Sequence, residues 1–291
     1  MQTTTGILLD GLTFPECPRW HDGHLWFSDV HAHTIMRMAA GGRAERIVEN
    51  AHQPAGLGWL PDGDLIYARM VDRTLVRLPA ADVTQPLPAV HSRGEIVADL
   101  TALESVQIND MTVSAQGRAY IGGFGFDINK GEQFATSSIM LVQPEGTASV
   151  AAAGMRFPNG MVITPGGKTL IAAETVGRCL TAFDIDPDGT LSNRREWAAL
   201  PVFPDGICLD AEGAVWVASP TTGECLRVRE GGEVTHTVKS HAKGVYACML
   251  GGPQGTTLYL CTADTTGPEL AQGISTGWIE TVEAEVPHGL P

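Results

Sequence analysis

The stretch PDGDLIY, residues 61–67, joins a turn of Pro, Asp and Gly to a short apolar run. Five other stretches repeat this pattern, in which a turn glycine precedes a run of mainly apolar residues. A glycine turn followed by such a run predicts a β-hairpin. The turn glycines are Gly23, Gly63, Gly117, Gly167, Gly213 and Gly255. The runs that follow them are residues 25–27, 65–67, 119–121, 169–171, 215–217 and 258–260.

The spacing of these glycines predicts the fold. Successive turn glycines are 40 to 54 residues apart. Repeats of about 40–50 residues, each with room for four short strands, are typical of β-propeller blades. No stretch has a sustained helical period, and no linker rich in Pro, Gly or Ser interrupts the repeats. We therefore predict an all-β, six-bladed β-propeller that forms a single domain over residues 1–291.

The two ends of the chain are expected to close the ring. Residues 7–9 (ILL) precede the first repeat, and residues 277–282 (GWIETV) end the last one. We predict that these N- and C-terminal strands pair within one blade. The longest insertion, about residues 82–104, is predicted to supply outer strands and loops of the second blade.

The composition limits the partners. The formal net charge of −14 argues against binding nucleic acid or an anionic membrane, since both require a basic surface. Residues 1–6 contain no basic region that leads into a long apolar stretch, so we expect no signal peptide, no transmembrane helix and a cytoplasmic location. The six cysteines lack C-x-x-C spacing and are expected to be free thiols. A small molecule or a cation fits this composition better.

An oxygen-bearing side chain recurs at one position of the repeat. It follows an aromatic-proline pair in FPE (residues 14–16), FPNG (157–160) and FPDG (203–206), and a weaker copy is IND (108–110). The side chains are those of Glu16, Asn109, Asn159 and Asp205. Because the innermost strands of a propeller surround its central channel, equivalent positions face one another there. The other two blades carry Ala55 and Ala247 at this position.

These four side chains predict a metal centre. Two carboxylates and two amide oxygens form a hard site that neutralises a divalent cation, which favours Ca²⁺. Mn²⁺ and Mg²⁺ are alternatives, and Zn²⁺ is less favoured because the set contains no His or Cys. Asn or Asp at one strand start usually forms only a turn. Four such residues in phase argue against that interpretation.

One ligand is out of step with the others. Glu16 lies seven residues before its turn glycine, whereas Asn109, Asn159 and Asp205 each lie eight residues before theirs. The backbone or the turn near Glu16 should therefore differ locally. Gly160 and Gly206, each directly behind a ligand, are expected to allow close backbone approach.

The motifs also resemble a known family. The stretches FPECPRW (14–20), NDMTV (109–113), FPNGM (157–161) and PDG (204–206) are similar to those of the gluconolactonase, senescence marker protein (regucalcin) and luciferin-regenerating enzyme family. Its members are six-bladed propellers with one divalent metal in the channel. The resemblance implies that Glu16, the two Asn residues and Asp205 bind the metal, and that the reaction is lactone hydrolysis.

Two positions depart from the family pattern. Sugar-lactone members carry Arg where this chain has Gln107, two residues before Asn109. Cys17 replaces the small residue that usually follows the metal-binding Glu. The first change argues against a polyhydroxylated or acidic sugar lactone, because a substrate-binding cation is missing.

Hairpin geometry selects candidates for substrate contact. The second strand of each blade returns antiparallel, so residues about seven positions after each turn glycine should reach the ligand end again. On this basis we predict substrate contacts for His31, Arg69, Phe124 and Phe126. Gln107 is a further candidate, because it stands where sugar-lactone members carry Arg. His31 and His33 are interpreted as an exposed loop pair rather than a second metal site.

The expected activity is metal-assisted attack of water on a small lactone or ester. Asp205 is the general base that the resemblance implies. Because a bound cation lowers the pKa of its carboxylate ligands, Glu174 and Asp127 are alternative bases. Two other functions stay open. One is a phosphotriesterase-like hydrolase with Asp205 as nucleophile, which related propellers such as diisopropyl fluorophosphatase suggest, and the other is a non-catalytic, metal-binding regulatory propeller.

Overall fold

A computed structural model describes residues 2–84, 94–127 and 130–289 of the chain. These residues form six β-sheets arranged as the blades of a propeller. The predicted all-β, six-bladed fold is therefore confirmed.

Strands follow one another in chain order around the ring. Two strands precede the first blade, namely β1 (Gln2–Thr4) and β2 (Gly6–Leu12). Blade one contains β3 (Pro15–His21), β4 (His24–Asp29), β5 (Thr34–Ala39) and β6 (Glu45–Glu49). Blade two contains β7 (Pro54–Trp59), β8 (Leu65–Arg69), β9 (Thr74–Leu78) and β10 (Glu95–Asp99). Blade three contains β11 (Ile108–Val113), β12 (Ala119–Gly123), β13 (Ser137–Val142) and β14 (Ala148–Met155).

The second half of the chain repeats the arrangement. Blade four contains β15 (Pro158–Ile163), β16 (Thr169–Glu174), β17 (Cys179–Ile185) and β18 (Leu191–Ala199). Blade five contains β19 (Ile207–Leu209), β20 (Val215–Ser219), β21 (Glu224–Val228) and β22 (Val234–Lys239). Blade six contains β23 (Gly244–Gly251), β24 (Thr257–Asp264) and β25 (Thr276–Glu283). Within the described residues, two short helices lie between strands, α1 (Ala80–Val83) and α2 (Gly267–Ala271).

The N-terminal strands close the ring. β2 pairs antiparallel with β25, with Ile7 opposite Glu280, and so supplies the fourth strand of blade six. The predicted closure by both ends of the chain is confirmed. β1 pairs in parallel with β22 and so adds a fifth strand to blade five. The sequence did not predict this pairing.

Each run after a turn glycine forms the second strand of its blade, as predicted. β10 is the outer strand of blade two, in agreement with the prediction for the long insertion, and residues 85–93 of that insertion lie outside the described residues. The prediction missed α2. Its signal was readable, because Thr266 and Glu269 form a capping box and Pro268 lies in the first turn.

Apolar side chains fill each interface between adjacent blades. Trp26 and Ile35 of blade one pack with Leu65 and Tyr67 of blade two, and equivalent clusters join the other neighbouring blades. Burying a large apolar side chain contributes about 1.5–3 kcal/mol. The six cysteines are free, as predicted, and all six are buried. Among the described residues, no helix is long and apolar enough to cross a membrane.

Inner strands of neighbouring blades touch through their backbones. A Cβ atom added to Gly160 of β15 would lie 2.5 Å from the backbone nitrogen of Ile207. One added to Gly206 would lie 2.5 Å from Cβ of Ala247. The Gly206 N–H donates to the carbonyl of Tyr246 at 2.8 Å. The predicted close approach behind the ligand positions is therefore present at both glycines.

We predict that Gly160→Ala lowers the free energy of unfolding by about 1–3 kcal/mol, because the new methyl group must displace the backbone of blade five. Chemical denaturation measures the change. Gly6→Ala in β2 is the control, since a Cβ there meets nothing within 4 Å. Equal stability of the wild-type protein and Gly160→Ala would contradict this packing.

Candidate metal centre

A β-bulge lies at the start of the inner strand in five blades. Regular pairing with the second strand is interrupted between Ile108 and Met111 in blade three and between Pro158 and Met161 in blade four. The equivalent interruptions in blades one, two and six follow Glu16, Pro54 and Val245. A bulge bends its strand and changes the direction of a side chain. Asn109 and Asn159 lie inside such bulges, which the hydrophobic alternation does not reveal.

Three of the four predicted ligands lie on inner strands. Glu16 is on β3, Asn109 on β11 and Asn159 on β15. Asp205 instead precedes β19, so the prediction that it starts a strand was wrong. Its N–H still donates to the carbonyl of Ala218 on β20 at 3.0 Å, which keeps its backbone beside the second strand.

The local backbone around Glu16 differs from that of the other blades, as its offset predicted. His21 pairs directly with His24, so Asp22 and Gly23 alone form the turn, and both have positive φ. In blade three, residues 115–117 lie between the hydrogen-bonded Ser114 and Arg118. Glu16 is the last residue of β3 that pairs regularly before the bulge, whereas Asn109 and Asn159 are the first residues inside their bulges. Relative to the bulge, Glu16 therefore lies one position earlier than the two asparagines.

Asp205 interacts electrostatically with both Glu16 and Asn159. Burial raises the pKa of Glu16 well above its usual range, and the nearby carboxylates of Asp205 and Asp110 raise it further. Burial and Asp110 raise the pKa of Asp205 to about 8, although a hydrogen bond with Asn159 opposes this shift. Asn159 and Asp205 are both buried, and Asn109 is half-buried next to Asp110. The side chains of Glu16, Asp110, Asn159 and Asp205, from blades one, three, four and five, therefore lie near one another at the end of the channel where the inner strands begin.

A buried ion pair lies beside this group. The Arg19 guanidinium donates to Asp110 at 2.7 Å and to the carbonyl of Pro18 at 2.8 Å, and it also contacts the carbonyl of Met111. The pair joins blade one to blade three. Arg19 lowers the pKa of Glu16, but its hydrogen bonds go to Asp110 and to backbone carbonyls. Both residues lie in the motifs FPECPRW and NDMTV, but the sequence does not reveal that they pair.

The donor set fits a divalent cation. Glu16 and Asp205 bring two carboxylates into a buried space, and their repulsion is what a cation would relieve. Carboxylate and amide oxygens are the ligands that Ca²⁺ prefers. Among the described residues, no group of three or more His, Cys, Asp and Glu side chains is arranged to hold a metal ion. The candidate centre therefore depends on the amides of Asn109 and Asn159.

The candidates for substrate contact surround this end of the channel. Phe124 stacks on Phe157 with ring centroids 4.8 Å apart, and Phe126 lies 5.8 Å from the same ring. The carbonyl of Gln107 accepts a hydrogen bond from the Phe124 N–H at 2.9 Å. Arg69 pairs with Pro54 on β7, and its guanidinium is bound to Asp72.

The two histidines differ from the prediction. His31 and His33 are half-buried rather than exposed. The His31 ring stacks on Phe14 at 4.9 Å, and its Nδ1 is 3.1 Å from the Ser275 hydroxyl. His31 therefore forms part of an aromatic wall.

Glu174 is a poor candidate for the general base. Its buried carboxylate accepts hydrogen bonds from the Arg156 N–H at 2.7 Å, the Thr181 hydroxyl at 2.6 Å and the Arg194 guanidinium at 3.0 Å. Asp29 has a similar role in blade one, where it accepts from the Phe14 N–H at 2.7 Å. Both carboxylates hold the backbone segment that leads into a strand with a candidate ligand. This shared role explains why a carboxylate ends the second strand in both blades.

The Asp127 carboxylate also has a protein partner. It forms an ion pair with Lys130 at 2.8 Å and accepts a hydrogen bond from the Lys130 N–H at 3.2 Å. Its role as a base stays a prediction.

Tyr246 is a site residue that the sequence did not reveal. It lies in the bulge of β23 directly before Ala247 and is buried. Burial and the nearby carboxylates of Asp205 and Glu16 raise the pKa of its phenol. A tyrosine in a buried strand is usually a core residue. The one sequence signal for a location near the site is that Tyr246 precedes Ala247, which occupies the ligand position of blade six.

We predict that Asp205→Asn makes the metal-free protein more stable at pH 8. The pKa of Asp205 is about 8 in the folded protein and has an ordinary value of 3.8, so the folded state retains a proton that the unfolded state releases between these values. This carboxyl group therefore lowers stability as the pH rises through that window. Thermal unfolding in chelator should give a higher Tm for Asp205→Asn than for wild type at pH 8, with the difference lost near pH 4.

Added Ca²⁺ should raise the Tm of the wild-type protein at pH 8 but not that of the variant. A lower Tm for the metal-free variant at pH 8 would show that no unfavourable charge is buried at Asp205.

Solved structures share this fold. A luciferin-regenerating enzyme is 17% identical with a TM-score of 0.82, and the match covers 97% of this chain and 95% of that one. A calcium-binding regucalcin from Agrobacterium tumefaciens is 20% identical with a TM-score of 0.76, and the match covers 100% and 99%. A gluconolactonase from Xanthomonas campestris is 20% identical with a TM-score of 0.67, and the match covers 95% and 89%.

The family assignment rests on the sequence. Residues 14–264 match the family described as the SMP-30/Gluconolactonase/LRE-like region, and this segment includes every strand from β3 to β24. The four candidate ligands all lie within it. The chain belongs to the SMP-30/gluconolactonase/LRE-like family.

Proposed function

We propose that this protein is a divalent-metal-dependent lactonase whose cation is held by Glu16, Asn109, Asn159 and Asp205. The observation that supports the proposal is the proximity of two carboxyl groups, the half-buried Glu16 and the buried Asp205, beside the buried Asn159. Desolvation and neighbouring carboxylates raise the pKa values of both acids. The calcium-binding regucalcin and the gluconolactonase of the same fold support both the ion and the reaction. Ca²⁺ is the favoured ion, and Mn²⁺ and Mg²⁺ are alternatives.

The metal-binding residues and the general base have different roles in the proposed hydrolysis. A divalent cation held there supplies Lewis-acid catalysis for attack on the lactone carbonyl. Asp205 accepts a proton from the attacking water while the oxygen of that water forms the new bond to the carbonyl carbon. The ring C–O bond then breaks, and the proton passes from Asp205 to the leaving oxygen, which gives a hydroxy acid.

Surrounding groups hold Asp205 and Glu16 in place. Asn159 forms a hydrogen bond with Asp205 and donates to the Thr175 hydroxyl at 3.3 Å. The Asp205 carbonyl accepts from the Gly160 N–H at 3.3 Å, and the Cys17 N–H donates to the Glu16 carboxylate at 3.1 Å. Preorganised contacts of this kind reduce the reorganisation that the reaction requires.

We predict that Asp205→Asn loses Ca²⁺ affinity and lactone turnover together. Removal of a general base lowers kcat about 10²–10⁴-fold. Glu174→Gln is the matched control, since its carboxylate is enclosed by Arg156, Thr181 and Arg194. That variant should lower Tm while the folded enzyme keeps its kcat. Calorimetry and lactone hydrolysis after chelation and reconstitution measure both effects.

The result also separates the alternatives. Full activity of Asp205→Asn would contradict the assignment of the base. Transfer of ¹⁸O from solvent into the Asp205 carboxylate during one turnover would indicate a nucleophile. Ca²⁺ binding without hydrolysis of any lactone would favour a regulatory propeller.

A further inference from the structure

Aromatic rings surround the Glu16 end of the channel. Phe14 and Phe157 each lie two residues before a candidate ligand, in blades one and four, which are opposite each other in a six-bladed ring. Phe14 stacks on His31 at the end of the β3–β4 hairpin of its own blade, and Phe157 stacks on Phe124 at the end of the β11–β12 hairpin of the neighbouring blade. The site is therefore flanked by two aromatic pairs.

The wall on the side of blades one and six extends to the carboxylates. Phe14, Val30, Tyr246 and Ala263 form one apolar cluster, and the Tyr246 ring meets Phe14 edge-on at 4.6 Å. Tyr246 also lies beside Asp205 and Glu16. Leu270 of α2 packs on the cluster, so the insertion between β24 and β25 completes this wall.

The opposite wall comes from blades three and four. Phe126 contacts Phe157 at 5.8 Å and Phe134 at 5.5 Å, both in edge-on geometry. Phe134 is 47% exposed, so the cluster reaches from the buried Phe157 to solvent. The rings of this cluster provide planar apolar surface between Phe157 and Phe134.

Large apolar side chains also line the rim. Ten large hydrophobic residues of the described part of the chain are exposed, and five of them lie in loops at the Glu16 end. The rim residues are Val71, Phe134, Val176, Phe203 and Ile274. The other five lie on the fourth strands of blades two, three, five and six. Apolar surface collected at an opening is typical of a binding groove for an apolar ligand.

Two of the arginines at this end of the channel are paired with carboxylates, whereas Arg178 lies over the Phe203 ring at 5.2 Å and donates to the carbonyl of Pro201. Arg19 is paired with Asp110, and Arg69 is bound to Asp72. Gln107 contributes no charge. A carboxylate or many hydroxyl groups on a substrate would meet mainly aromatic and apolar walls, and burial of polar groups without partners is unfavourable.

We propose that this site takes lactones or esters with an aryl group or another planar apolar group next to the reacting ring, in preference to polyhydroxylated lactones. The planar group packs on the aromatic wall of Phe124, Phe126 and Phe157, with the wall of Phe14, Tyr246 and Leu270 on the other side of the site. This substrate class rests on the proposed lactonase function.

The test compares three six-membered lactones with Ca²⁺-loaded protein: one aryl-fused, one unsubstituted and one polyhydroxylated. The aryl-fused lactone should have a kcat/KM about tenfold above the unsubstituted one, and the polyhydroxylated lactone should be the poorest. Phe124→Ala should reduce the aryl-to-unsubstituted ratio to near one, and Phe124→Leu should retain part of it. Val234→Ala, which removes an exposed apolar side chain from β22, should leave the ratio unchanged.

Binding of the corresponding lactams, which resist hydrolysis, separates this inference from the lactonase function. If no lactone is hydrolysed, the proposed function fails, and calorimetry still decides whether the aryl-fused lactam binds about tenfold more tightly than the polyhydroxylated one. Equal or stronger binding of the polyhydroxylated lactam would overturn the inference. An unchanged ratio in Phe124→Ala would also overturn it.

Discussion

Direct backbone contact between inner strands holds the candidate centre together. At Gly160 and Gly206 the neighbouring blade lies so close that no side chain fits, and the Gly206 N–H donates to Tyr246 of the next blade. These contacts fix Asn159 and Asp205 relative to each other. The apolar clusters between blades and the pairing of β2 with β25 keep the ring closed, so residues far apart in sequence keep one geometry.

That rigidity allows the protein to bury charges that repel each other. Glu16 and Asp205 are near Asp110, and only Asp110 forms an ion pair with Arg19. Burial of like charges lowers the stability of a folded protein unless a counter-charge is present. A divalent cation would convert this unfavourable arrangement into a favourable one, which is the physical link between the fold and the proposed chemistry.

Repetition made the fold readable from the sequence, whereas contacts between blades were not readable. Turn glycines located each second strand, and the common offset brought Asn109, Asn159 and Asp205 to one end of the channel. The bulges that contain Asn109 and Asn159 have no signature in hydrophobic alternation, because the residues around them are buried on both faces. Arg19 and Asp110 are 91 residues apart, so their pairing depends on the closed ring. Glu174 shows what position in the repeat does not reveal, since its location suggests a base whereas its hydrogen bonds suit a residue that anchors the backbone.

Anomalous diffraction from crystals grown with Ca²⁺ tests the central claim most directly. The account predicts one peak at the Glu16 end of the channel, about 2.3–2.6 Å from oxygens of Glu16, Asn109, Asn159 and Asp205. A calcium peak bound by other residues, or saturated crystals without a peak at these four side chains, would contradict it.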